Sequence, residues 1–314
     1  MRAIAVSEYG ATPSLMDLDR PEPGPGEVLV KLVAAGMNPF DWKVADGDFE
    51  GAVPVRFPLI LGQDGAGVVE AAGEGVDRFR PGEQVYGSFF GAPRGLGSYA
   101  EYTLVRQDGP IAMMPAEMIY SRAAAVPMAS MTAYNLVGAA GVDEGKTVLV
   151  VGATGGVGQQ AVQFAAMRGA HVIATAGPDM TELMLDYGAD ETVDYAGKDL
   201  FDAIDGGHPD GIDVLLDLVE DADGVDRLSR AVKRGGVVAS LIGQADVEGL
   251  AGRDVKGINF RNEPSGELLT ELAGMIDAGK LRVHVSREVD LAEVPEVIAD
   301  ARRGGARGKT VIRL

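Results

Sequence analysis

Up to about residue 114, apolar and polar residues alternate in short runs broken by turn formers. Residues 28–33 read as a strand after the Pro- and Gly-rich stretch 21–26, residues 65–71 as a second, and 83–86 as a third after Pro81-Gly82. Short strands between turns predict a β-rich domain. From about residue 121 the period lengthens. Apolar residues recur at helical spacing through 123–137, and strand and helix patterns then alternate. Strands are expected at 147–151, 171–175, 214–218 and 237–242, and helices at 157–168, 181–187 and 225–233. This alternation predicts an α/β architecture built on a doubly wound parallel sheet. Further on, a helix is expected at 267–278, a strand at 281–285, a helix near 294–301 and a last strand at 310–314. The final segment is expected to return to the first domain, so that 1–120 completed by 283–314 form one domain and 121–282 the other. No repeat of 20–50 residues appears.

A length of 314 residues suits two cores, and a composition of 46% hydrophobic and 24% charged residues with 44 glycines suits a folded protein rich in tight turns. The net charge of −19 would repel phosphate backbones, and no Lys/Arg run forms a basic stripe, so nucleic acid is not an expected partner. No uninterrupted apolar stretch is long enough to span a bilayer and the N-terminal residues enter strand-like alternation directly. A cytoplasmic protein without a membrane partner is therefore expected. The absence of cysteine removes disulfides, thiolate nucleophiles and Cys-ligated metals. The three histidines, His171, His208 and His284, are not spaced as a metal pair, and no metal site is expected.

The Val-rich run 147–151 leads straight into Gly152-Ala153-Thr154-Gly155-Gly156-Val157-Gly158 and then into a helical pattern. Strand, glycine turn and helix in this order form a dinucleotide-binding fingerprint. Gly155 would let the backbone approach a pyrophosphate, Gly158 would let helix and strand pack closely, and the helix N-terminus would supply N–H groups. Ala153 stands where the usual pattern has its first glycine. The next strand ends at Thr175 without the acid that would bind the ribose hydroxyls of NAD, which favours NADPH. Thr175, Gly177 and Lys309 are the candidates for holding the extra phosphate, although Asp179 lies close enough to oppose it. Ile242 and Gly243, at the C-terminal end of a later strand, are further cofactor candidates.

With these residues in view, the chain resembles the zinc-independent quinone oxidoreductase (zeta-crystallin-like) branch of the medium-chain dehydrogenase/reductase superfamily. The resemblance rests on residues 23–30 (PGPGEVLV), 38–43 (NPFDWK), 61–69 (LGQDGAGVV), 97–102 (GSYAEY), Thr132-Ala133-Tyr134, the fingerprint, 188–191 (GADE) and Gly308-Lys309. It implies a GroES-like catalytic domain, a Rossmann domain, homodimers, and Thr132 beside the nicotinamide. Zinc alcohol dehydrogenases of the superfamily place a metal-binding Cys where this chain has Asn38 and a metal-binding His where it has Gln63. Amides are poor substitutes for thiolate and imidazole.

Reduction of a quinone or a conjugated C=C–C=O by hydride leaves negative charge on oxygen, so positioned hydrogen-bond donors can serve without a metal. The resemblance places the segment 38–43 near the nicotinamide. Asn38 would donate to the carbonyl, and Lys43 would stabilise the enolate or supply a proton. Many relatives carry Tyr at the position of Lys43. Phe40, Asp41, Tyr86, Phe89 and Phe90 are candidates for a wall against which a flat substrate stacks. The expected function is NADPH-dependent reduction of a small-molecule quinone, enone or enal. The alternatives are an enoyl-thioester reductase and a non-catalytic NADPH-binding protein of the crystallin type.

Overall fold

The computed structural model describes residues 1–195, 199–304 and 307–314, and they fall into two units, Met1–Met128 with Pro264–Leu314, and Ala129–Glu263. The divide lies at 128/129 and 263/264 rather than at the expected 120/121 and 282/283. The helix expected at 267–278 lies in the first unit, not the second.

The first unit begins with β1 (Arg2–Val6) and β2 (Ser14–Asp17), then β3 (Glu27–Gly36), α1 (Pro39–Asp46), β4 (Leu59–Ile60), β5 (Asp64–Ala72), β6 (Gln84–Ser88), β7 (Tyr102–Arg106), β8 (Ile111–Met113) and α2 (Tyr120–Ala124). The three strands expected from alternation are β3, β5 and β6. β3 is central, pairing antiparallel with both β5 and β7. Its Val28, Val30 and Leu32 point into a core with Val69, Val85 and Ile111, while Lys31 turns outward. α1 was not anticipated as a helix. Its start is nevertheless written in the sequence: Asn38 at the N-cap, Pro39 in the first turn, and Asp41 accepting the Asn38 backbone N–H at 2.8 Å. The helical pattern 123–137 is broken into two helices because Pro127 lacks an N–H and restricts Val126.

The second helix of that pair, α3 (Pro127–Ala139), leads into the second unit. There follow β9 (Thr147–Val151), α4 (Gly156–Met167), β10 (His171–Thr175), α5 (Thr181–Asp186), β11 (Glu191–Val193), α6 (Leu200–Gly207), β12 (Ile212–Asp217), α7 (Ala222–Ser229), β13 (Val232–Ser240), α8 (Val247–Ala251) and β14 (Lys256–Asn259). The strands form one parallel sheet in the order β11-β10-β9-β12-β13-β14. The chain runs outward from β9 to β11, then restarts on the other side of β9 with β12. The C-terminal ends of β9 and β12 therefore flank the switch point where such sheets open a ligand crevice. Leu149, Ile173, Leu215 and Val238 fill the core beneath. The helix expected at 225–233 starts earlier, because Asp221 caps it by accepting the Gly224 N–H at 2.9 Å.

The chain returns to the first unit through α9 (Gly266–Asp277), β15 (Val285–Asp290), α10 (Val294–Ala301) and β16 (Lys309–Arg313). α9 belongs with this unit because the Tyr86 hydroxyl donates to the Leu269 carbonyl at 2.6 Å and Asp277 accepts the Ala116 N–H at 2.9 Å. Residues 281–284, expected to be strand, precede β15 instead. β16 pairs antiparallel with the end of β3, with Val311 opposite Gly36. No helix among the described residues is long and apolar enough to cross a membrane.

Candidate functional site

The second unit carries the fingerprint. Gly152 follows β9 with φ +80°, and a Cβ there would lie 2.9 Å from Val219 at the end of β12. Gly152 thus makes the tight turn one position before the buried Ala153. A Cβ on Gly158 would sit 2.2 Å from the Gly152 carbonyl oxygen and 2.6 Å from Ala153 Cα, so α4 approaches the turn too closely for any side chain. Gly155 differs. Its nearest atom would be 3.4 Å away, an ordinary contact, and it caps α4 with no side-chain hydrogen bond. Nothing inside the protein requires a glycine at 155, whereas a pyrophosphate lying on the helix N-terminus would. The first-turn N–H groups and the positive end of a twelve-residue helix suit that anion. Gly156 and Val157 are half-buried in the first turn, and Thr154 is buried, its carbonyl accepting from Gln159 Nε2 at 2.9 Å. These residues fit a dinucleotide.

Thr175 has a different role from the one expected. It is 2% exposed, its hydroxyl oxygen accepts the Gly152 N–H at 3.0 Å, and the hydroxyl reaches the Val150 carbonyl at 3.3 Å. It braces the glycine turn from beneath and is not presented to a phosphate. Gly177 is half-buried past the end of β10, and a Cβ there would meet an Asp179 carboxylate oxygen at 3.1 Å. Asp179 is thus placed over the strand end. Ile242 is exposed beyond β13, with Gly243 at φ +80° next to it, and Thr132 is buried on α3. A residue the sequence reading missed is Asp217, fully buried at the end of β12. It accepts N–H groups of Val219 and Glu220 through one oxygen and the Ser240 hydroxyl through the other. Burial pushes its carboxyl up, and these hydrogen bonds pull it back in part. Its signal was a carboxylate directly after the apolar run Val214-Leu215-Leu216.

In the first unit, strand pairing gathers a buried polar cluster at the junction of β3 and α1. β16 brings Lys309 there, and its ammonium donates to the Met37 carbonyl at 2.7 Å and to Asn38 Oδ1 at 2.6 Å. Asn38 Nδ2 donates to Asp64 Oδ2 at 2.9 Å, and that oxygen lies 3.5 Å from Lys309 Nζ. Asp64 Oδ1 accepts the Met128 N–H at 3.1 Å. Asp64 is fully buried, which raises its carboxyl against the opposing pull of Lys309 and Asn38. Lys309 was expected to hold a phosphate. Its ammonium is instead buried and committed to this cluster, so it orients Asn38. The Asn38 amide is held from both ends, and one of its two N–H protons is spent on Asp64. Gln63, the other amide singled out, is buried as well.

Asp41 adjoins the cluster. Its Oδ2 accepts the Asn38 backbone N–H at 2.8 Å and the Tyr99 hydroxyl at 2.7 Å, while its buried Oδ1 has no partner among the described residues. Burial raises its pKa from 3.8 to about 7, with the Tyr99 and Asn38 hydrogen bonds acting in the opposite direction. The folded protein keeps this proton up to about pH 7, whereas the unfolded chain releases it near 3.8. The stability this site contributes is therefore complete below the lower value and lost as pH rises through the upper one. Asp41→Asn is neutral at every pH and keeps an oxygen for Tyr99. Relative to wild type, the variant should gain up to about 4 kcal/mol of stability between acid and neutral pH. Thermal unfolding across that range tests this, and a constant difference between the two proteins would refute it.

The aromatic wall divides. Tyr86 is fully buried with its hydroxyl bonded to Leu269, and Phe89 is 1% exposed in the β3–β5–β6 core, so neither offers a face to a substrate. Tyr86 sits within β6, and Phe89 lies just past its end in the same core cluster as Val85. Phe90 points the other way, is 41% exposed, and meets Phe40 edge-on at 5.3 Å. Phe49 extends the group, 5.0 Å from Phe40. Asp41 and Phe90 also border a cavity of about 10 Å³, room for about one water and not for a ring. Lys43 stands exposed on α1, and its ammonium has no ion pair among the described residues. The histidines need a correction too: His171 and His208 both reach Glu191, a pairing the linear spacing hides.

Residues 24–116 match the family model described as alcohol dehydrogenase GroES-like domain, and residues 187–312 match that of zinc-binding dehydrogenase. The chain is 32% identical to the 2-methylene-furan-3-one reductase of Solanum lycopersicum, over 99% of this chain and 79% of that protein. It is 30% identical to the NADPH-dependent alkenal/one oxidoreductase, chloroplastic, of Arabidopsis thaliana, with the same coverage. Among solved structures, the quinone oxidoreductase from Coxiella burnetii superposes with a TM-score of 0.89 at 27% identity, covering 100% of this chain and 99% of that one. The fold, the glycine fingerprint and these similarities agree, and the chain belongs to the quinone oxidoreductase branch of the medium-chain dehydrogenase/reductase superfamily.

Proposed function

We propose that this chain is an NADPH-dependent reductase of quinones or of the C=C bond of enones and enals, working without a catalytic metal. The observation that carries the reading is the Asn38 amide clamped between Lys309 and Asp64, at a position where zinc-dependent relatives need a thiolate. When bound, NADPH supplies the hydride. Asn38 offers its remaining N–H to the substrate oxygen, and its orientation is set in advance, so little reorganisation accompanies charge development. Lys43 brings a mobile cation to the enolate or a proton to its carbon. Phe40 and Phe90 present apolar faces to a flat acceptor. Gly155–Gly158 would hold the pyrophosphate, and Thr132, Ile242 and Gly243 would line the nicotinamide side. A cytoplasmic homodimer goes with this reading, and sedimentation of the full chain as a monomer would remove that part of it.

NADPH oxidation should be followed with a quinone, an enone and a crotonyl thioester, with and without a chelator. Turnover of the first two, unaffected by chelation, is expected. Preference for the thioester would make the chain an enoyl-thioester reductase, and no turnover with any would make it a non-catalytic binder. Lys43→Ala and Asn38→Ala should each lower kcat/KM by roughly 10- to 100-fold. Wild-type values for both on every accepted substrate would remove these assignments.

Cofactor choice tests the strand end separately. The absence of an acid immediately after Thr175 favours NADPH, while Asp179, placed over Gly177, limits the preference by repelling the 2′-phosphate. The wild type should prefer NADPH by about 10-fold in kcat/KM, and Asp179→Arg should widen that ratio. Preference of the wild type for NADH, or an unchanged ratio in the variant, would refute the placement.

A further inference from the structure

Two of the three histidines in the chain converge on one carboxylate in the second unit. His171 opens β10, Glu191 opens β11, and His208 caps the C-terminal end of α6. The Nε2 of His171 lies 2.6 Å from one oxygen of Glu191, and the Nε2 of His208 lies 3.3 Å from the other. One ligand atom from each residue lies within 4.8 Å of the other two. A tetrahedral ion with bonds of 2.0–2.1 Å holds its ligands ~3.3 Å apart, so small side-chain rotations suffice to enclose one.

The surroundings favour this over a plain ionic contact. Asp190 Oδ2 lies 3.6 Å from His171 Nδ1 and is itself fixed by the Val172 N–H at 2.8 Å. A carboxylate on the far ring nitrogen is the usual means of aiming an imidazole at a metal. The side chains of His171, Glu191 and His208 are 40%, 44% and 19% exposed, so an ion enters without opening the fold. Two imidazoles and one carboxylate select a borderline transition metal over calcium or magnesium, which prefer all-oxygen shells. β11 is a short edge strand with no fully buried residue, an element that gains from a fastening. The group stands at the N-terminal ends of β10 and β11, four strand steps from Thr175. That is roughly 13 Å from the edge carrying the fingerprint.

We propose that His171, Glu191 and His208 form a binding site for one divalent transition-metal ion of the zinc class, with a fourth position left to water. The ion fastens β11 and the end of α6 to β10 and takes no part in hydride transfer. The test uses the full chain without an affinity tag, stripped with a chelator and titrated with Co²⁺ alone. One equivalent should bind and give the visible absorption of four-coordinate cobalt, Zn²⁺ should displace it, and Zn²⁺ should raise the unfolding temperature. His171→Gln and His208→Gln, both on accessible side chains, should each weaken Co²⁺ binding by at least about 100-fold, and Asp190→Asn by about 10-fold. NADPH oxidation should be the same with and without Zn²⁺ in every variant. Absence of stoichiometric four-coordinate Co²⁺, or binding that survives both histidine substitutions, overturns the site. Loss of reductase activity when only this ion is removed overturns its separation from the chemistry.

Discussion

Lys309→Met is expected to cost the folded protein about 3–5 kcal/mol. Methionine fills the space of the lysine stem but removes the cation from a pocket in which the Lys309 side chain is 6% exposed and that of Asp64 fully buried. Two strong hydrogen bonds disappear with it, to the Met37 carbonyl and to Asn38 Oδ1. Asp64 is left as a buried carboxylate without a counter-charge, and burial already raises its carboxyl against the pull of Lys309. Surface pairs are a useful contrast. Arg230 and Asp226 meet at 2.8 Å with both side chains more than half exposed, and breaking that pair should cost about 0.3–0.5 kcal/mol. The double variant Lys309→Met/Asp64→Asn should regain a large part of the loss, since no uncompensated charge stays buried. Urea unfolding of the four proteins closes the cycle. A cost below about 1 kcal/mol for the single variant, or a double variant no better than the single, would show that the cluster does not work as a charge pair. The single variant should also lose kcat/KM, because Asn38 is no longer held from its oxygen side.

Gly158→Ala is expected to damage folding and cofactor binding together. Its methyl would sit 2.2 Å from the Gly152 carbonyl oxygen and 2.6 Å from Ala153 Cα, and both obstacles are backbone. α4 must move away from β9, at a cost of about 1–3 kcal/mol for overpacking. The displaced N–H groups should weaken NADPH binding by about 100-fold, equivalent to about 2.7 kcal/mol. Gly155→Ala separates the two effects. The protein has room for that methyl, with its nearest atom at 3.4 Å, so stability should be unchanged while NADPH affinity falls. Thermal unfolding without cofactor, together with fluorescence titration of NADPH, reads both quantities. If Gly155→Ala binds NADPH as wild type does, the pyrophosphate does not lie against Gly155. If Gly158→Ala keeps its melting temperature, the close approach of α4 is not needed.

Local pattern carried much of this protein. The alternation in 28–33 and the Val-rich run 147–151 each place a strand, because burial on one or both sides of a sheet imposes its period directly on neighbouring residues. The fingerprint was legible for a similar reason: turn, close approach and helix start are all made within seven consecutive residues. α1 was legible in retrospect from Asn38, Pro39 and Asp41, although the same residues also suit a plain turn. The division into units was read less well, since α9 carries the same amphipathic pattern whichever sheet it covers. Its bonds to Tyr86 and Ala116 and its packing against β8 assign it to the first unit.

By itself the sequence determined the alternation of elements, the place of the glycine turn, the absence of any thiol ligand and the two amides where zinc relatives carry metal ligands. These depend on residue identity and on contacts within one turn of helix or one strand. Tertiary structure alone decided which partners the polar side chains take. Lys309 meets Asn38 because β16 pairs with the end of β3, and His171 meets His208 because both flank Glu191 at one edge of the sheet. Phe89 and Phe90 are neighbours in sequence just past the end of β6, yet one packs into the core with Val69 and Val85 and the other lies exposed against Phe40, because each takes the partners the fold brings to it. The physical reason is common to all of these. A buried charge or ring must be satisfied by whatever the fold brings near it, and those groups lie up to hundreds of residues away, where no local pattern records them.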